Sequence, residues 1–226
     1  MKIKFLGQNC FLFSYQDINI LSDPFYNFQK EKSGFDLLAQ PIDYLLITHA
    51  HGDHIADVKE VMEAHPDVTV VGQPEICAYF GHPHSVDLNF GGTLTTGSLK
   101  ITMVNALHTS SFPDGSYGGQ PAGYILRYDG KIIYLAGDTG LISDMAMIRQ
   151  VFGEVTAAVL PVGAHYTMCA RQASFAAAEL IKTSKVIGCH FDTFPPITID
   201  HEWAKQQFAN RNIDFSLPEL GEEFEI

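Results

Sequence analysis

Tyr44-Leu45-Leu46-Ile47-Thr48-His49-Ala50-His51-Gly52-Asp53-His54 is the stretch that decides how this chain is read. An apolar run of strand length ends where three imidazoles and a carboxylate begin. Imidazole and carboxylate together suit zinc, and also manganese or iron. Alternate side chains of an extended stretch point the same way, so His49 and His51 can converge on one ion. Asp53 and His54 follow small Gly52, where a sharp turn can aim them at a second ion. Without a cation, such crowding would repel protons and cost folding energy. Four residues cannot close two metal shells, so further ligands must come from far along the chain.

Moving outward, Ile55, Val58, Val61 and Met62 recur at helical spacing. The motif is therefore expected on a loop between a buried strand and a helix. Three more candidates stand just beyond apolar strands. His108 follows Leu99 to Val104, Asp138 lies in Ala136-Gly137-Asp138-Thr139-Gly140 after Lys131 to Leu135, and His190 follows Val186 to Cys189. Each alone reads as an ordinary surface His or turn Asp. Beside the early cluster they read together, because loops held by a sheet place ligands rigidly.

The remaining pattern predicts short strands at Ile3 to Phe5, Cys10 to Ser14 and Ile18 to Ser22, with turns at Gly7-Gln8-Asn9 and Tyr15-Gln16-Asp17. Strands are also expected at Val68 to Val71, Gly123 to Tyr128 and Ala157 to Leu160. Asp129-Gly130 signals a hairpin. A short helix follows Pro74. Ser143 is expected to cap a helix carrying Met145, Ile148 and Phe152, and Asp200 a last helix through Trp203 and Phe208. Another helix spans about Arg171 to Lys182. No linker or repeat marks a boundary, so one domain over residues 1–226 is expected.

Apolar residues make up 46% and charged residues 18% of the 226, which predicts a folded chain rather than a disordered one. The formal charge of −12 argues against nucleic acid or an anionic membrane as partner. Two divalent cations would change it only to −12 + 4 = −8. Cys10, Cys77, Cys169 and Cys189 show no two-residue spacing, which favours free thiols in a reducing cytoplasm. The apolar start is broken at once by Gly7, Gln8 and Asn9, unlike a signal segment.

Thr48 to His54, followed by His108, Gly137-Asp138-Thr139 and His190, resembles the metallo-β-lactamase superfamily over nearly the whole chain. Ser22-Asp23-Pro24-Phe25, Gly137 to Leu141 and Thr193-Phe194-Pro195 look like its branch of small metal-dependent hydrolases related to ascorbate-phosphate lactonases. The resemblance implies an α+β fold, a four-layer αββα sandwich. It implies two divalent ions, Zn²⁺ before Mn²⁺ or Fe. His49, His51 and His108 would hold the first, Asp53, His54 and His190 the second, and Asp138 would bridge them. Asp23 would orient a ligand from behind. Gln8 stands where many members have His, and His165 where an acidic or small polar residue is more usual; both bear on the substrate.

The chemistry expected is hydrolysis of a small ester, lactone, amide or phosphoester by a metal-bridged hydroxide, with Asp53 moving its proton. His165, Thr193, Phe194 and the loop Phe112 to Gln120 are candidate substrate contacts. The rival readings are a mononuclear iron dioxygenase of the same fold and a non-catalytic metal-binding protein. His51 favours hydrolysis over the dinuclear oxygen-reducing relatives, which carry Glu at that position.

Overall fold

Continuous apolar runs and short polar breaks build two sheets. The structure is a computed structural model describing residues 1–226, Ser33 by its backbone alone. It divides into two compact units: residues 1–89, 109–120 and 219–226 form one, and residues 90–108 and 121–218 the other.

In the first unit, β1 (Lys2–Gly7), β2 (Cys10–Tyr15) and β3 (Ile18–Ser22) form an antiparallel meander. α1 (Lys30–Ser33) follows a 3₁₀ turn at Asn27–Gln29. β4 (Tyr44–Leu46), β5 (Thr69–Gly72) and β6 (Ser85–Asp87) then add in parallel. Between them lie α2 (Gly52–Ile55), α3 (Val58–Ala64) and α4 (Pro74–Phe80). The C-terminal β14 (Glu223–Glu225) pairs antiparallel with β1, giving the order β14-β1-β2-β3-β4-β5-β6. Met1 and Ile226 exchange hydrogen bonds at this edge, the terminal amine donating to Ile226 O at 2.9 Å and Ile226 N to Met1 O at 3.0 Å. Leu21, Leu45, Ile47, Val58, Val61, Val70 and Ile76 share the unit's core.

In the second unit, β7 (Thr93–Thr96), β8 (Leu99–Asn105), β9 (Ala122–Tyr128) and β10 (Lys131–Leu135) are antiparallel. β11 (Ala157–Pro161), β12 (Lys185–Cys189) and β13 (Asp214–Ser216) continue in parallel, for the order β13-β12-β11-β10-β9-β8-β7. β11 is buried at every position, as strands of a parallel sheet read when both faces are covered. α5 (Met145–Phe152), α6 (Ala170–Phe175) and α7 (His201–Ala209) supply apolar faces to this core through Met145, Ile148, Ala173, Ala204 and Phe208. Both sheets thus repeat one pattern: three antiparallel pairings, then three parallel ones.

Most expected elements are present, and Asp129 and Gly130 turn the β9–β10 hairpin with φ +44° and +73°, the signs a tight primed turn requires. Asp200 caps α7, accepting from Trp203 N at 2.9 Å. Three readings need correction. The helix expected from Arg171 to Lys182 is α-helical only to Phe175 and continues as π-helix over Ala176–Ile181. The residue before α5 is Asp144 rather than Ser143, and no side chain caps that helix. Asp53 and His54 do not sit on a loop. They lie in the single turn of α2, and their aim comes from that turn rather than from a bend at Gly52.

Candidate metal centre

In the first unit, β4 delivers Thr48 and His49, fully buried, to the start of the cluster. Asp23, immediately after β3, is the hub behind them. Its Oδ1 accepts from Thr48 N at 2.8 Å. Its Oδ2 accepts from the Thr48 hydroxyl at 2.7 Å and pairs with His54 Nδ1 at 2.8 Å. Burial pushes the Asp23 carboxyl above its ordinary range, while His54 and Thr48 pull it back. Having given its proton to Asp23, the Thr48 hydroxyl can only accept from His49 Nδ1, 3.1 Å away. This network assigns the proton of His49 and of His54 to Nδ1, and so leaves both Nε2 atoms as lone pairs.

Those two nitrogens face the neighbouring candidate ligands. His49 Nε2 lies 2.9 Å from His51 Nδ1, and His54 Nε2 lies 3.5 Å from Asp53 Oδ2. The second nitrogen of His51 meets the Thr109 hydroxyl at 3.4 Å. Three imidazoles and a carboxylate gathered at one place form a donor set of the kind that holds a divalent cation. The donor set of this unit fits a divalent metal on that ground.

The second unit gathers its own three candidates. Asp138, buried at the end of the β10 turn, pairs through Oδ2 with His190 Nε2 at 2.9 Å and His108 Nε2 at 3.5 Å. Thr139 fixes the turn: its hydroxyl accepts from Leu107 N at 3.0 Å and donates to Gly140 O at 2.8 Å. His190 follows β12 with φ +54°, a left-handed conformation that ordinary residues avoid. Its carbonyl crosses Gly163 so closely that a Cβ there would fall 2.0 Å from His190 O. One carboxylate with two imidazoles is again a metal-type set.

The remaining candidates separate. His165 is exposed after β11, its ring edge-on to Tyr166 with centroids 4.5 Å apart. The Thr193 hydroxyl donates to Phe191 O at 3.3 Å, and Phe194 precedes a 3₁₀ turn at Pro195–Ile197. The loop Phe112 to Gln120 is tied to the histidine stretch. Ser110 accepts from Ala50 N at 3.2 Å and donates to Gly118 O at 3.0 Å. Gln73 Nε2 donates to both Thr48 O and Gln120 O, at 2.9 and 2.6 Å. Tyr79 stacks on Phe112 with centroids 3.8 Å apart. Gly118 is required where it stands, since a Cβ would fall 2.3 Å from that of Ala50. Thr48, Thr109, Gln73 and Gly163 escape a reading of the sequence, because each acquires its role from a partner remote in the chain.

The beta-lactamase superfamily domain matches residues 18–191, spanning both of these clusters. The chain belongs to this superfamily. A relative from Christiangramia forsetii, described as a UPF0173 metal-dependent hydrolase, is 41% identical with all of both chains covered. One from Flavobacterium johnsoniae with the same description is 37% identical, again over all of both chains. Igni18, a metallo hydrolase from Ignicoccus hospitalis, superposes with a TM-score of 0.87 at 31% identity, covering 100% of this chain and 98% of its own. Membership of the superfamily places the chain among metal-dependent hydrolases and gives it the α+β, metallo-β-lactamase-like fold class that the His49 to His54 motif implied.

Proposed function

We propose that this hydrolase acts on a small ester, lactone, amide or phosphoester with a pair of divalent cations, zinc before manganese or iron. One would be held by His49, His51 and His108 and the other by Asp53, His54 and His190, with Asp138 shared. The observation that carries this reading is the gathering of the His49, His51 and His54 rings at one place, each held by a hydrogen-bond partner. When bound, such cations supply a water acidic enough to be hydroxide near neutral pH, and a charge that polarises the substrate oxygen. Asp53, one quarter exposed, is the carboxylate able to take up and return that water's proton. Asp23 and Thr48 hold the rings of His54 and His49 in orientation from behind. No cluster of Lys or Arg in the sequence marks a phosphate clamp, which favours a small substrate over a polyanion. Four free cysteines and a charge of −12 support a cytoplasmic protein without nucleic-acid or membrane partners.

The test is metal analysis of the purified chain followed by an ester, lactone, amide and phosphodiester panel. Two equivalents of metal are expected, with hydrolysis lost in His51→Ala and Asp138→Ala together with metal. Full activity of either variant at normal metal content would refute the assignment. A single iron with substrate-dependent oxygen uptake would replace it by the dioxygenase reading.

A further inference from the structure

Gln8 is fully buried at the end of β1, and three features of the chain converge on it. The register of β1 against β2 slips between Phe5 and Gly7, the kind of irregularity that re-aims a side chain. Gly7 and Gln8 then both take positive φ, +106° and +53°, and for Gln this is a strained conformation. The bend turns the amide inward, where Nε2 donates to Asp53 Oδ2 at 2.7 Å. That contact leaves the other end of the amide, Oε1, buried with no hydrogen-bond partner. Flipping the amide to satisfy Oε1 elsewhere would turn an oxygen toward the carboxylate, so the orientation is set by Asp53 at the expense of Gln8. A buried unsatisfied acceptor and a strained backbone are both costly, and both are retained for one hydrogen bond.

We propose that Gln8 is a positioning residue: its amide N–H locks the rotation of Asp53, so that this carboxylate is ready to ligate the second cation. The inference rests on the metal reading above and adds to it a requirement for a donor at position 8.

The experiment is chelator competition with Zn²⁺ on the full chain, comparing the unaltered protein with Gln8→Met, Gln8→Asn and Gln8→His. Met matches the length of Gln without a donor. Asn suits the left-handed backbone but is one methylene too short to reach Asp53. His restores a ring N–H. One of the two zinc equivalents is expected to weaken 10–100-fold in the Met and Asn variants and to recover to within a few-fold of the unaltered protein in the His variant. If Met fails to fold, by circular dichroism of the apo chain, Asn carries the same test. Unchanged affinity in both, equal loss from both equivalents, or a His variant as weak as Asn would overturn the role. If the unaltered protein itself fails to bind two equivalents, the metal reading falls first, and that result is distinct from any effect at Gln8.

Discussion

Asp23 uses both carboxylate oxygens on the chain itself, accepting from Thr48 twice and pairing with His54. Asp23→Ala would free the His49 and His54 rings together. We expect metal affinity to fall about 10–100-fold while the ligands themselves remain; chelator competition measures it, and an affinity equal to that of the unaltered protein would refute the orienting role. At this scale the sequence displays the donors openly, because crowded imidazole and carboxylate have few other uses. Apart from Asp23, which the family resemblance implies, it does not display their supports. Thr48 looks like any strand residue, Gln8 like any turn residue and Thr109 like any loop residue, and each is defined by a partner that the fold supplies.

At the scale of elements, several of these residues directly follow strands within each sheet. In one unit His108 follows β8, Asp138 follows β10 and His190 follows β12. In the other, Gln8 follows β1, Asp23 follows β3 and Gln73 follows β5. Strands with long apolar runs, such as β9 to β12, were legible from the sequence. The short pairs at the sheet margins, β6, β7, β13 and β14, were not, since three or four residues with polar side chains carry no decisive period. The π-helical continuation of α6 also has no mark in Ala176-Ala177-Ala178, which favours an ordinary helix by propensity. Gly163 tests the crossing of the segments after β11 and β12. Gly163→Ala puts a Cβ into the His190 carbonyl, so we expect a loss of roughly 2 kcal/mol or more, read from the urea midpoint, together with weaker zinc binding. An unmoved midpoint would show that the crossing relaxes freely.

For the whole molecule, binding to the folded state alone must raise stability. At zinc concentrations about 100-fold above the dissociation constant, the gain is roughly 2.7 kcal/mol. For a chain of this size, that is on the order of 5–10 °C in Tm, lost again on adding chelator. A Tm indifferent to both would contradict a resident metal. Among the described residues no helix is long and apolar enough to cross a membrane. The bonds between Met1 and Ile226 have a consequence of another kind. A short peptide could join the two ends without redirecting a strand, and the ring so formed could be reopened at an exposed turn such as Asp129-Gly130. The order of elements along the chain is thus one of several circular permutations compatible with the same hydrogen-bonded sheets.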